Sequence, residues 1–398
     1  MCTTYFWRAS NMPGDTKVTV YCGPLSWFEE QLGKQADESL LDIVYARDEA
    51  RRLFKIIAPA HNESELDDLQ PKRPKRMVAQ SSDYASLSEH VITNFAGLIR
   101  SINPKHVHLH NPPAHALAQL QRAFPATVLK RYEYPAVTRE TLIHFRDGFA
   151  DHLVGQATVM QKLLAALYPL TTARQAKPVV LMFYGPSGVG KTETAQFING
   201  LLGGTLMRKQ FSMFHNDKFA SYLFGGTHSE PSFAHDLLDR ESGVILIDEF
   251  DKANPVFHSA FYQLFDSGIF EDKNYSVHLG PSLIICTSNY GSEKEIRDAF
   301  GDALYSRFDS LIGFQPLSRD EIIRVIDKLA EDRFVKLTQD EEKQLDLGDL
   351  KSLLYPLADK SSNVRKLGKT VDELISLILV RSLLDEPQST GVASTNAG

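Results

Sequence analysis

Cysteine is scarce in this chain: Cys2, Cys22 and Cys286 are the only three among 398 residues. An odd number at no metal-like spacing argues against a disulfide framework and fits a reducing compartment. Long apolar runs are also missing. No stretch reaches the ~18 residues that span a bilayer, and Met1 to Arg8 lacks a charged segment followed by a long apolar one. The expectation is a cytoplasmic protein with neither a secretory signal nor a membrane span. Nor is there an excess of positive charge. Lys and Arg number 43 against 50 Asp and Glu, a net of −7, which gives no general argument for nucleic acid or an anionic membrane as partner. The one local exception, Lys72-Arg73-Pro74-Lys75-Arg76, follows the acidic stretch Glu63 to Asp68 and reads as a solvated loop of mutually neutralising charges. No internal repeat is visible.

What is present is enough chain for two or three domains at roughly 150 residues each. Residues 1–135 alternate short strand-like runs with helical patterns, which predicts a small α/β domain. Val18 to Cys22, His106 to His110 and Ala126 to Leu129 read as strands. Residues 38–57, 84–101 and 113–124 read as helices, and the polar stretch 61–83 as a long loop. From 136 to 315, apolar runs alternate with helical segments, the signature of a parallel sheet wrapped by helices. Residues 316–385 turn helical, opened by a capping box at Ser318 and Glu321. The polar tail 386–398 is expected to be disordered.

The chemistry concentrates in the middle section. Gly185-Pro186-Ser187-Gly188-Val189-Gly190-Lys191-Thr192 follows the apolar run Val179 to Tyr184 and reads G-x-x-x-x-G-K-T, a phosphate-cradling loop. Glycines let the chain turn tightly and bring backbone N–H groups onto phosphate oxygens. Lys191 then neutralises β/γ-phosphate charge, Thr192 offers a hydroxyl to Mg²⁺, and the following helix turns its positive end to the anion. Further on, Ile245-Leu246-Ile247 delivers Asp248 and Glu249 at a strand end, one acid for the metal and one for the attacking water. Taken alone, that pair could simply cap the next helix. In this order, the two motifs predict ATP hydrolysis with Mg²⁺.

These strings, with Val244 to Phe257 and Ile284 to Ser292, resemble the AAA+ ATPases of the Clp/heat-shock unfoldase class, most of all their C-terminal ATPase ring. The resemblance runs from about Asp151 to Leu384. It implies a large αβα subdomain, a small helical lid, ATP at their junction and ring-forming subunits, usually hexamers. It further implies that Val154 and Gly155 line the adenine, that Asn289 positions the water, and that Arg365 senses the γ-phosphate in cis. Arg307 matches the arginine finger that reaches the neighbouring subunit's nucleotide. As plain residues, Asn289 could be a turn former and Arg307 a surface charge.

Departures accompany the matches. Leu223 to Ser232 replaces the aromatic pore loop of the unfoldases and is shorter; Tyr222 and Phe224 are the candidates to stand in for it, though both read as core. Ile312-Gly313-Phe314 resembles a protease-docking tripeptide but falls on a strand expected to be buried. His106, His108 and His110 share a strand face near His115, a spacing that could hold Zn²⁺ but reads as structural. The resulting expectation is an ATP-driven machine that remodels an unidentified protein or protein complex, with residues 1–135 as adaptor. The alternative is a nucleotide-dependent assembly switch that gates an effector without threading; nucleic-acid remodelling is the weakest reading.

Overall fold

The computed structural model describes residues 16–34, 37–57, 73–172, 176–213, 217–359 and 363–385. Among them, the N-terminal part forms one five-stranded sheet from β1 (Lys17–Cys22), β2 (Glu38–Ser39), β3 (Arg76–Ala79), β4 (His106–His110) and β5 (Val128–Arg131). The order is β2-β3-β4-β1-β5, and every pairing is parallel. One face buries Val18, Val20, Met77, Val107 and Leu109 against Tyr84, Phe95, Ile99 and Leu120. On the other, Tyr21 and Val78 pack under Phe28 of the helix Leu25–Leu32.

Two expectations for this part need correction. The stretch 61–83 is not simply a loop: Arg76–Ala79 is a strand and Ser81–Ala85 a helix, with residues 61–72 outside the described residues. Only Met77, Val78 and Ala79 carry the apolar signal, too few to stand out among charged neighbours. The region 84–101 is not one helix either. It holds Ser81–Ala85, Glu89–Thr93 and Phe95–Ile102, separated at Asn94, whose ψ of 42° leaves the helical region. The stretches Glu63 to Asp68 and 386–398 lie outside the described residues.

Two of the three strand histidines are absorbed by the fold, while His106 is exposed. His108 Nδ1 lies 3.1 Å from the Tyr21 hydroxyl, and His110 Nε2 donates to the Gly23 carbonyl at 2.7 Å. Burial lowers both pKa values to about 4, so both rings stay neutral. Among the described residues no group of three His, Cys, Asp or Glu is placed to hold a metal.

The second sheet comprises β6 (Val179–Tyr184), β7 (Met207–Gln210), β8 (Val244–Asp248), β11 (Leu283–Thr287) and β12 (Ser310–Gly313) in the order β12-β6-β11-β8-β7, all parallel. Strands β8 and β11 are buried at every position and β6 at all but its last, which explains their unbroken apolar runs. Helices cover both faces. An aromatic-rich core around Phe211, Phe233, Phe250, Phe261 and Phe265 lies on one side; Leu163, Leu181, Phe183, Ile198 and Leu246 form the other. An antiparallel hairpin of β9 (Ile269–Glu271) and β10 (Ser276–His278), absent from the sequence reading, precedes β11.

The remaining helices, Arg319–Phe334, Gln339–Glu342, Leu347–Leu354 and Val364–Asp385, enclose a separate core of Ile322, Ile326, Leu350, Leu354, Leu367 and Val371. The Ser318 hydroxyl accepts from the Glu321 N–H while the Glu321 carboxylate accepts from the Ser318 N–H, closing the capping box. The architecture is α/β with parallel sheets and a helical C-terminal unit, as the sequence implied.

Helix starts and loops around the first sheet contact helix ends and loops around the second. The Leu25 N–H donates to Asp239 Oδ1 at 2.9 Å and Ser26 Oγ to Glu241 Oε1 at 3.0 Å. The Ala114 N–H donates to the Asn274 carbonyl at 2.8 Å, His228 Nε2 to the Leu87 carbonyl at 2.7 Å, and the Arg240 guanidinium stacks 3.9 Å from the Tyr134 ring centre. His228 belongs to the segment Leu223 to Ser232, which the sequence expectation set against a pore loop. In that region Tyr222 is core, its hydroxyl 2.6 Å from Asp236. Phe224 is not: it is 47% exposed, at the end of the helix Asp217–Phe224. Ile312 and Phe314 are buried, which removes the tripeptide from the surface.

Candidate active site

Strand β6 ends at Tyr184, and the loop 185–190 turns back over the start of the helix Lys191–Leu202. The turn needs glycine at specific points. Gly188 and Gly190 hold φ of +80° and +104°, and a Cβ on Gly188 would sit 2.2 Å from Asn363 Oδ1. At Gly185, a Cβ would strike the Phe314 carbonyl oxygen at 2.3 Å. Pro186, Ser187 and Val189 complete the loop, with Val189 buried beneath it.

Lys191 folds back into that loop. Its ammonium donates to the carbonyls of Gly185 (2.6 Å) and Pro186 (2.8 Å) and to Asn289 Oδ1 (3.2 Å). Burial pulls its pKa down to about 8, against the opposing pull of the Asp248 and Asp251 carboxylates. Across the cleft, β8 presents Asp248. Its Oδ1 accepts from the Thr287 hydroxyl at 2.5 Å, and its Oδ2 faces the Thr192 hydroxyl at 3.5 Å. Glu249 follows with φ +55° and ψ +46°, a left-handed backbone uncommon outside glycine and asparagine. Its N–H donates to Thr287 Oγ1 at 2.9 Å, and its Oε2 accepts from Gln210 Nε2 at 3.0 Å. The side chain is thus turned out of the strand direction and aimed into the cleft.

These groups line one cavity of about 540 Å³, together with Ser187, Gly188, Gly190, Gln196, Arg208, Asn289, Val364 and Arg365. A second, less polar cavity of about 350 Å³ shares Gly190, Glu193 and Val364 with it and adds Leu153, Val154, Val189, Leu317, Val325 and Leu329. The pair therefore forms a more polar end and a less polar end, the second also lined by His152, Lys328, Asp332 and Arg333, with Val364 of the helical unit lining both. Val154 lines the less polar end. Gly155, at φ +77°, is instead pressed against the next element: a Cβ there would meet the Glu321 carboxyl group at 2.4 Å.

Arg307 stands apart from both cavities. Its Nε donates to Asp266 Oδ2 at 2.9 Å, another of its N–H groups donates to the Ala303 carbonyl, and the guanidinium lies 4.5 Å from the Tyr262 ring centre. Sequence reasoning did not single out Arg208, Gln210 or Thr287. Thr287 sits at the end of a strand that was read. Arg208 and Gln210 alternate on β7, whose polar composition hides it from a search for apolar runs.

The arrangement suits a polyphosphate ester. The glycine cradle excludes side chains, Lys191 supplies a buried cation, and Thr192 with Asp248 pairs a hydroxyl and a carboxylate, the hard oxygen donors that Mg²⁺ requires. No helix among the described residues is long and apolar enough to cross a membrane.

The family model for the AAA domain (Cdc48 subfamily) matches residues 176–340. The ClpE ATP-binding subunit of the ATP-dependent Clp protease from Streptococcus pneumoniae is 25% identical over 281 residues, 62% of this chain and 37% of ClpE. The chaperone ClpB of Chlamydia trachomatis is 25% identical over 299 residues, 64% of this chain and 34% of ClpB. The chain thus spans little more than a third of the length of these curated relatives. Among solved structures, the Saccharomyces cerevisiae Hsp104–ADP complex shares the fold with a TM-score of 0.50 at 23% identity, over 62% of this chain and 49% of that one. A closed-state Hsp104 with ATPγS and FITC-casein gives 0.53 at 14% identity, over 92% and 88%. Residues 176–340 thus match an AAA domain, and the chain resembles the AAA+ ATPases of the Clp class.

Proposed function

We propose that this protein hydrolyses ATP with Mg²⁺ and spends the energy remodelling a protein or protein complex, as one subunit of a ring. The observation that carries the reading is the meeting of Lys191, Thr192, Asp248, Glu249, Asn289 and Arg365 around one cavity. Lys191 and the loop 185–190 hold the phosphates; Val154 lines the base end. Thr192 and Asp248 would hold Mg²⁺, which when bound would neutralise phosphate charge. Glu249 takes the proton of the attacking water, Asn289 orients that water, and Arg365 reports the γ-phosphate from the helical unit. Arg307 faces a neighbouring copy and completes that copy's site. In this reading the chain divides into a 1–135 adaptor, a 136–315 nucleotide-binding unit and a 316–385 lid, and the ring is a hexamer, the assembly usual in this class.

The adaptor role is supported by the docking contacts of Leu25, Ser26 and Leu87 on Asp239, Glu241 and His228, which place the N-terminal sheet against the segment between the two nucleotide motifs. Steady ATPase activity in Mg²⁺, raised severalfold by an unfolded protein such as casein, is the expected result. One slow turnover per assembly event, unaffected by any unfolded protein, would replace remodelling with an assembly switch.

Lys191 gives the reading a pH signature. Its pKa is about 8 among the protein groups around it; a bound polyphosphate favours the charged form and raises that value. Binding therefore takes up a proton between the two pKa values. Affinity for ATP should be flat below pH 8 and weaken above it, approaching tenfold per pH unit. Titrations with a fluorescent ATP analogue from pH 6.5 to 9.5 test this. A dissociation constant independent of pH would remove Lys191 from the phosphate site.

A further inference from the structure

Asp248 is already fully engaged by the protein. Its Oδ1 accepts the Thr287 hydroxyl, and its Oδ2 accepts two N–H groups of Arg208, Nε at 3.1 Å and a terminal nitrogen at 2.5 Å. The same Oδ2 is the oxygen that faces the Thr192 hydroxyl. The contact follows from the sheet: β7 runs parallel to β8 in a register that sets Arg208 beside Leu246 and Gln210 beside Asp248, so both polar β7 side chains reach the cleft. The Asp248 side chain is 8% exposed, whereas that of Arg208 is 38% exposed. The carboxylate is enclosed, and the guanidinium reaches it from the partly exposed side.

We propose that Arg208 is a displaceable counter-ion that keeps the metal carboxylate occupied until a metal–nucleotide complex arrives. This rests on the reading of Thr192 and Asp248 as the metal's residues. A buried carboxylate without a cation is costly, and a forked guanidinium on a single oxygen meets that cost while the site is empty. A divalent cation seated between Thr192 and Asp248 uses the same oxygen, so it must displace Arg208. Bare Mg²⁺, strongly hydrated, gains the Asp248 carboxylate and the Thr192 hydroxyl against that loss and brings no phosphate ligands of its own. Mg²⁺ carried in by a nucleotide brings phosphate ligands with it, and the released guanidinium faces the same polyphosphate. The nucleotide-free subunit is thereby closed to free divalent cations, and metal enters together with nucleotide.

The test is Mn²⁺ binding to the nucleotide-free full-length protein, followed by the loss of the free-ion electron paramagnetic resonance signal. Arg208→Gln, close in length and neutral, should bind Mn²⁺ at least tenfold more tightly than the parent, while Arg208→Lys, which keeps a charge without the fork, falls between. A misfolded variant loses Mn²⁺ affinity, so a gain cannot come from damage. If Arg208→Gln binds Mn²⁺ no tighter than the parent, the counter-ion role is overturned. Adding Asp248→Asn to Arg208→Gln separates the two readings. Tight Mn²⁺ binding that survives the double change shows that the metal does not use Asp248, and sinks the underlying assignment instead.

Discussion

Glu249→Gln should stop ATP turnover while leaving nucleotide affinity within about a factor of three. The substitution is nearly isosteric, so the left-handed turn at φ +55° and the N–H donated to Thr287 are unaffected by it. Gln210 can still be met, because a glutamine at 249 offers an amide oxygen to the same donor. What is lost is the ability to accept a proton from water, a contribution of roughly 10²–10⁴ in rate. Binding depends on other groups: the loop, Lys191 and the metal pair. The measurement is a coupled phosphate-release assay beside an equilibrium titration with fluorescent ATP. Turnover within tenfold of the parent would show that another group activates the water. Loss of binding together with turnover would place Glu249 in the fold of the site and not in its chemistry.

Gln210 adds a second layer. In this structure its amide donates to Glu249 Oε2 at 3.0 Å, one of the two oxygens of the proposed base. Its ring of contacts continues to Ser212, whose hydroxyl lies 3.1 Å from the same amide nitrogen. The base is therefore held by β7, as Asp248 is held by Arg208 of the same strand. One short edge strand touches both acids of the site.

That strand marks the boundary of what the sequence disclosed. The loop 185–192 and the end of β8 were legible because their chemistry is contiguous: glycines, lysine and threonine in one run, two acids after one buried strand. Strands β6, β8 and β11 were legible because burial on both faces forces an unbroken apolar string. β7 obeys neither rule. At the sheet edge, Arg208, Lys209 and Gln210 turn to polar partners, so nothing in its composition announces a strand. β3 failed for a related reason, since its four residues follow a charged stretch. The docking of the two sheets was beyond any local pattern. Asp239 and Glu241 meet Leu25 and Ser26 across more than two hundred residues, and neither end carries a motif.

Arg307 separates what a single chain shows from what an assembly does. In this chain its charge is answered by Asp266 and by the face of Tyr262, with the Ala303 carbonyl as a third partner. None of these groups lines the nucleotide cavity. A cation so placed does not line its own subunit's nucleotide cavity. The proposed finger acts between copies, where a cation stabilising transition-state charge is worth roughly 10³–10⁵ in rate in other phosphoryl-transfer systems. Arg307→Ala should therefore lower turnover by about a hundredfold or more without weakening ATP binding, because the subunit that loses the arginine keeps its own loop and metal pair intact. Lys191→Ala should do the reverse, abolishing binding in its own subunit while still presenting Arg307 to a neighbour. Mixing the two variants before assembly lets a Lys191→Ala subunit lend its arginine to an Arg307→Ala subunit, and part of the activity should return. Activity that stays at the sum of the two separate variants, at every mixing ratio and under conditions in which the parent forms rings, would return Arg307 to the role of a surface ion pair with Asp266.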